Sequence, residues 1–195
     1  MDTQGTYNSL NLLNQFSSFV RDYGPCFSGE NLPKSILLWE QEGLATYYAP
    51  FEHINIEAKI VFCGITPGAA QAEIALNVVA RTLNEGGSHK EAIRKAKQTA
   101  SFAGPMRKNL SKMLDHIGLH TFIGIEASKD LFGSANDLVH YTSALMNPVF
   151  YKGANYSGSP SILKTPSLRR QVDEILVKEV GLLSSEVLYI PLGAK

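Results

Sequence analysis

A turn between two glycines contains the groups best suited to bind a small ligand. This glycine turn spans residues 64–68 (Gly-Ile-Thr-Pro-Gly) and follows a short apolar run that is typical of a buried parallel strand. Open α/β sheets bind ligands at the carboxyl ends of such strands. Gly64 and Gly68 allow close approach of the backbone, Pro67 stiffens the turn, and Thr66 is its one polar side chain. The sequence therefore predicts a preorganised binding loop.

Basic side chains form a second group with possible chemistry. Seven of them flank a turn that contains one aromatic residue, Phe102: Lys90, Arg94, Lys95, Lys97, Arg107, Lys108 and Lys112. Such a group predicts contact with phosphates, although most charge runs are simply solvated helix faces. A loop at residues 152–160, rich in Gly and Ser, could also bind phosphate through its backbone N–H groups or be an ordinary surface loop. The candidate phosphate contacts, which would be DNA contacts if the ligand is a nucleic acid, are Arg107, Lys108, Lys152 and Asn155.

Metal-ligand patterns are missing from the sequence. The five histidines do not have metal-ligand spacing, and two cysteines, Cys26 and Cys63, cannot hold a cluster by themselves. Cys63 lies in the apolar run, so we interpret it as a buried structural thiol. We expect neither a metal nor a cofactor.

Helices and strands alternate along most of the chain. Helical periodicity predicts helices over residues 7–23 (ended by Gly24-Pro25), 69–83, 89–100 and 106–117, and one after Pro166 with an apolar stripe of Leu168, Val172, Ile175, Leu176 and Val180. Strands are predicted over residues 59–65, 138–146 and 187–191. Residues 26–57 are predicted to mix short helical pieces with turns, residues 119–137 to be irregular, and residues 150–166 to form a loop. This alternation indicates an α/β fold with a parallel sheet.

Composition indicates a single soluble domain spanning residues 1–195. The chain is 44% hydrophobic and 18% charged, with a net charge of zero, so its bulk charge favours neither nucleic acid nor membrane. We see no signal peptide and no apolar run long enough to cross a membrane. The low cysteine content fits a reducing compartment. We expect an intracellular monomer that is cytoplasmic, or nuclear in a eukaryote, and that has no membrane partner.

Four segments occur in an order known from one family. They are the glycine turn, Phe102-x-Gly104 with the helix behind it, the strand and proline of residues 139–148, and the strand ending Leu-Gly at residues 187–195. In this order they resemble the motifs of the uracil-DNA glycosylase superfamily. The glycine turn is similar to the Gly-x-Asn-Pro-Gly motif of its mismatch-specific and single-strand-selective branches. The resemblance runs from about residue 58 to the end of the chain.

The resemblance implies a fold, a reaction and a partner. The fold would be a three-layer α/β/α sandwich with a short, mainly parallel sheet. The reaction would be hydrolysis of the N-glycosidic bond of uracil or a related damaged base in DNA, without metal or cofactor. Phe102 would stack on the extruded base, and Thr66 would position the attacking water. The full set of residues implied to bind the base is Gly64, Ile65, Pro67, Gly68, Phe102 and Ser143.

Three departures from the family's pattern leave alternatives open. Thr66 stands where the family usually has Asp or Asn, and a hydroxyl is a poor general base. Ser143 stands where the family often has an Asn that reads the base. The chain also ends before the family's final His-containing motif, so we expect a truncated domain. A catalytically silent DNA- or base-binding domain of the same fold is therefore an alternative. A third reading is an unrelated small-molecule enzyme with a phosphate-binding turn, but the usual phosphate-loop patterns are missing from the sequence.

Overall fold

The structure is a computed structural model that describes residues 12–23 and 32–193. Its strands are β1 (Leu37–Gln41), β2 (Leu44–Tyr47), β3 (Ile60–Gly64), β4 (Val139–Ser143), β5 (Val149–Tyr151), β6 (Ala154–Asn155) and β7 (Leu188–Pro191). Its α-helices are α1 (Leu12–Tyr23), α2 (Ala69–Asn84), α3 (His89–Ala100), α4 (Pro105–His116), α5 (Leu119–Ile123), α6 (Pro166–Gln171) and α7 (Val177–Val180). The start of the first predicted helix and its predicted stop at Gly24-Pro25 lie outside the described residues.

A three-stranded parallel sheet forms the centre of the fold. Its strand order is β4-β3-β7, and Phe62 of β3 lies in register with Tyr141 of β4 and Ile190 of β7. All three strands were predicted from apolar runs, so the prediction of an α/β fold with a short parallel sheet is confirmed. The glycine turn leaves the carboxyl end of β3 and leads directly into α2.

Side-chain alternation along the strands gives the parallel sheet two different faces. On one face, Ile60, Phe62 and Tyr141 pack in an apolar cluster with Leu110 and Leu114 of α4. On the other face, β4 presents His140 and Thr142, which hydrogen-bond to a carboxylate of α7. One face is therefore apolar and the other holds a buried polar network.

A second, antiparallel sheet corrects the prediction of helical pieces and turns over residues 26–57 and of a loop over residues 150–166. Its order is β1-β2-β5-β6. Two-residue hairpins close it at Glu42-Gly43 and Lys152-Gly153, and all four of these residues have positive φ angles of 49–80°. Such turns match the twist of paired strands. These strands are two to five residues long, too short for alternation to be recognised.

The helical stretch after Pro166 contains a π-helical turn, Val172–Leu176, between α6 and α7. The predicted apolar stripe is wrong at its end. Val180 is 36% exposed, whereas its neighbour Glu179 is only 4% exposed. Glu179 follows the buried Ile175 by four residues, so the buried face continues through Glu179 rather than Val180.

No helix in residues 12–23 or 32–193 has the length and apolar character needed to span a bilayer.

A buried carboxyl lies in the connection between β2 and β3. Glu52 is 6% exposed, and its carboxyl group lies beside the buried hydroxyl of Tyr48. Burial raises the pKa of Glu52 from 4.5 to about 7. The folded protein therefore holds this proton more tightly than the unfolded chain does.

Stability should fall with rising pH through Glu52, because its pKa is raised on folding. Its contribution is fully present below about pH 4.5 and is lost as pH rises through 7. Glu52→Gln removes the titrating group. As the pH rises from about 5 to about 8, the free energy of unfolding of the variant should therefore increase by about 2 to 3 kcal/mol relative to that of the wild type. Urea denaturation at both pH values measures this shift. The exposed Glu57→Gln serves as control, and equal shifts in the two variants would contradict the assignment to Glu52.

Candidate ligand-binding site

A cavity of about 300 Å³ opens at the carboxyl ends of β3 and β4. This volume is at the small end of the range for ligand sites. The cavity is lined by Phe51, Gly64, Ile65, Thr66, Pro67, Gly68, Gln71, Lys97, Ser101, Phe102, Met106, Tyr141, Thr142, Ser143, Met146, Asn155, Tyr156 and Leu192. Every residue predicted to bind the base or position the water is in this set, although the residues come from three separate parts of the chain. Of the four candidate DNA contacts, only Asn155 lines the cavity.

Gly64 is where the three parts of the chain meet. A Cβ atom at Gly64 would lie 3.2 Å from Cε1 of Phe102 and 3.2 Å from Oγ of Ser143. The missing side chain thus allows the aromatic ring and the hydroxyl to approach the end of β3. Ser143 Oγ makes no hydrogen bond with another described residue, so it is available to a ligand.

The backbone at Phe102 is held in a conformation that few side chains adopt. Its φ is +54°, in the left-handed region. The ring packs edge-on against Phe62 and Tyr141, with centroid distances of 6.4 and 6.2 Å. Strain of this kind occurs often at functional sites, and the packing fixes the ring at the cavity wall.

Arg107 stabilises the turn that carries Phe102. Its guanidinium donates hydrogen bonds to the carbonyl oxygens of Gln98, Thr99 and Ser101 at 2.7–3.0 Å. It also lies over the ring of Phe132, 5.0 Å from the centroid. This gives Arg107 a structural role at the end of α3, and its contact with DNA stays a prediction.

The glycine turn offers fewer free N–H groups than expected. The amide of Gly68 donates to Gln71 Oε1 at 2.7 Å, and the next amide, at Ala69, donates to Asn155 Oδ1 at 2.8 Å. The amides of Ile65 and Thr66 make no hydrogen bond with a described residue. These two N–H groups are the available donors of the turn.

The hydroxyl of Thr66 links two loops. It donates to the carbonyl oxygen of Asn147 at 3.0 Å and accepts from the amide of Val149 at 3.2 Å. One lone pair is left to accept a hydrogen bond from water. Because its own proton is already donated, Thr66 can orient a water but has little capacity to deprotonate it.

The remaining candidate DNA contacts are surface residues. Lys108 on α4 and Lys152 in the second hairpin are exposed, and the ammonium of Lys152 lies 5.2 Å from the ring centroid of Tyr151. Asn155 is exposed and caps the start of α2 through its Oδ1 atom. Each can reach a ligand from solvent, and none is shown to bind DNA.

Behind the cavity lies a buried ionic network that the sequence interpretation missed. Lys97, which we had grouped with the surface basic residues, is 3% exposed and donates to Glu179 Oε1 at 3.1 Å and to the carbonyl oxygen of His53 at 2.6 Å. His140 Nε2 lies 2.7 Å from the same carboxylate oxygen, and Thr142 Oγ1 donates to Glu179 Oε2 at 2.7 Å.

The network fixes the protonation of its members. Burial alone would raise the pKa of Glu179, but Lys97 and the hydrogen bonds from His140 and Thr142 lower it to about 2. Burial and the charge of Lys97 lower the pKa of His140. Since His140 Nδ1 accepts from the amide of Asn55 at 3.3 Å, its single proton is on Nε2. Glu179 is therefore ionised and His140 neutral at pH 7.

A helical-phase signal for this network is present in the sequence. Lys97 falls on the face of α3 that carries Ala92, Ala96 and Ala100, all fully buried. A lysine on a buried face needs a partner. Its partner, Glu179, was missed because Val180 rather than Glu179 was assigned to the buried face of its helix.

No group of three His, Cys, Asp or Glu side chains in residues 12–23 and 32–193 is arranged to hold a metal ion.

One curated relative is similar over much of this chain. The "Uncharacterized protein YoxB" of Bacillus subtilis (strain 168) is 37% identical over 158 residues. The match covers 80% of this chain but 62% of the relative, so the chain spans about three fifths of that protein's length. No family model matches the chain. No solved structure matches it either.

Gly64→Ala should close the cavity, because the new Cβ would crowd the ring of Phe102 and the hydroxyl of Ser143. We expect a loss of about 1 to 3 kcal/mol in the free energy of unfolding, as for other overpacked sites. Gly181→Ala is the matched control, since Gly181 has an ordinary helical φ of −64° and its Cβ would meet only contacts of 3.4 Å or more. Urea denaturation measures both variants, and equal stability would show that the site can absorb a methyl group.

Thr66→Val should destabilise the protein by about 1 to 2 kcal/mol, because it leaves the Asn147 carbonyl and the Val149 amide without their partner. Thr66→Ser keeps the hydroxyl and should lose less. Thermal denaturation compares the two. If the valine variant were as stable as the serine variant, the link between the loops would contribute nothing.

Proposed function

We propose that this protein removes uracil or a related damaged base from DNA by hydrolysing its N-glycosidic bond. The observation that carries the proposal is the meeting of Gly64, Phe102 and Ser143 around one small cavity. These residues come from three separate segments that resemble uracil-DNA glycosylase motifs. The proposal includes the three-layer α/β/α sandwich of that superfamily and DNA as the partner.

The cavity suits a flat heterocycle. The ring of Phe102 forms an aromatic wall on which a base extruded from DNA could stack. The free amides of Ile65 and Thr66 can donate to a carbonyl oxygen of the base, and Ser143 Oγ can donate or accept. These groups are already fixed, so binding requires little reorganisation.

The reaction would proceed without a strong base. No carboxylate is among the described residues that line the cavity. Thr66 can accept a hydrogen bond from the attacking water and orient it, while the transition state has positive charge on the sugar and negative charge on the base. The bond between the sugar and the base would therefore be largely broken before the bond to water forms.

A catalytically silent DNA- or base-binding domain is the second candidate. The hydroxyl of Thr66 already donates its proton to the protein, which favours this reading. The same cavity would then recognise a base without cleaving it. Binding that weakens steeply with salt, without base release, would identify this alternative.

Base release from labelled uracil-containing oligonucleotides, single- and double-stranded, tests the proposal. Phe102→Ala should lower single-turnover release by about 10-fold or more, since one stacked base is worth about 1 to 3 kcal/mol. Phe122→Ala is the matched control, because Phe122 is 83% exposed on α5. Equal activity in the two variants would contradict the role of Phe102, and no release from any damaged base by the wild type would contradict the glycosylase proposal.

A further inference from the structure

The buried side chain of Lys97 lines the cavity described above and also a second, smaller cavity beside His53 and His140. Lys97 is 3% exposed, yet it lines the cavity together with Thr142 and Ser143. It comes from α3, whereas Thr142 and Ser143 end β4. A cationic group therefore lies beside the strand end that we propose reads the base.

One N–H of this ammonium is available. An ammonium has three donors. The carbonyl oxygen of His53 accepts one at 2.6 Å and Glu179 Oε1 accepts a second at 3.1 Å. No third acceptor among the described residues lies within hydrogen-bond distance. The remaining donor can serve a ligand in the cavity.

Two other groups hold Glu179 in the position from which it binds Lys97. Thr142 donates to Oε2 and neutral His140 donates to Oε1. The carboxylate is thereby bound to β4 on one side and to α3 on the other. Glu179, His140 and Thr142 are positioning residues for the ammonium.

Stability alone does not explain a buried ion pair at a cavity wall. Replacing such a pair with apolar side chains is often neutral or stabilising, because both ions must be desolvated. A buried charge with a specific partner, placed in a cleft, is instead typical of functional sites.

We infer that Lys97 donates a hydrogen bond to a carbonyl oxygen of the bound base and stabilises the negative charge that forms there as the base departs. This inference rests on the proposed function. The bond between sugar C1′ and the base nitrogen breaks with its electron pair going to the base. Water adds to C1′ and loses a proton to solvent, and the released base anion takes up a proton from solvent. Lys97 keeps its own proton throughout.

The leaving group itself provides the test. Fluorine at C5 withdraws electrons and stabilises the uracil anion, so release of 5-fluorouracil should depend less on Lys97 than release of uracil. The variant is Lys97→Met with Glu179→Gln, which removes both charges together. The control is Lys178→Met, which replaces the exposed lysine next to Glu179 on α7. Single-turnover release is measured from oligonucleotides that carry either base.

The double variant should release uracil at least about 100-fold more slowly than the wild type does. Its loss of rate with 5-fluorouracil should be at least about 10-fold smaller than its loss with uracil. Lys178→Met should change neither rate. Equal losses for the two bases would overturn the inference and leave the glycosylase proposal intact. If the double variant fails to fold, Thr142→Val takes its place, because it frees Glu179 Oε2 and should give the same contrast between bases at smaller amplitude.

A wild type that releases neither base would contradict the proposed function but would still allow Lys97 to be tested. Binding of free uracil is then measured by calorimetry. If the double variant binds uracil about 10-fold or more weakly and Lys178→Met binds it as tightly as the wild type, Lys97 is supported as a donor to the ligand. Equal binding in all three proteins, or no binding by the wild type, would overturn the inference.

Discussion

The ionised carboxylate of Glu179 connects parts of the fold that are far apart in sequence. It accepts hydrogen bonds from Lys97 on α3 and from His140 and Thr142 on β4, and through Lys97 it also fixes the carbonyl of His53. Removing one partner from a buried pair of this kind typically costs about 3 to 5 kcal/mol, because it leaves an uncompensated charge. The wall of the cavity nearest β4 therefore depends on one carboxylate that is remote from the cavity's other elements in the chain.

The parallel half of the fold could be predicted from the sequence, whereas the antiparallel half could not. Each parallel strand is an apolar run bounded by clear turn residues, and the helices between them have regular apolar periodicity. The antiparallel strands are short and lie among aromatic and polar residues that have no clear alternation. Their hairpins contain Glu42-Gly43 and Lys152-Gly153, in which Glu and Lys take positive φ angles that their residue types seldom adopt. The conformation of these two turns is therefore set by the surrounding tertiary structure rather than by their residue types.

The glycine turn could be recognised from its own residues, because it follows an apolar run and has a glycine at each end. Phe102 and Ser143 were identified from the resemblance to the glycosylase motifs, and all of these residues line one cavity. The charges were harder to interpret, since sequence shows neither burial nor partners. Arg107 and Lys97 were both grouped as surface cations, but one stabilises the Phe102 turn and the other is buried against Glu179. The cavity thus contains neutral donors and one paired cation, a combination suited to an oxygen-rich planar ligand.

The π turn at Val172–Leu176 determines which side chain of the following helix faces Lys97. If this segment were a regular α-helix with the same number of residues, the residues after it would be rotated about the helix axis by about 100°, the angle between successive residues. Lys178 would then occupy the place of Glu179, and two ammonium groups would face each other in a buried site. The register with the π turn is therefore stabilised by attraction between Lys97 and Glu179, whereas the neighbouring register would be destabilised by repulsion between Lys97 and Lys178. A local irregularity in one helix is in this way fixed by electrostatics rather than by packing alone.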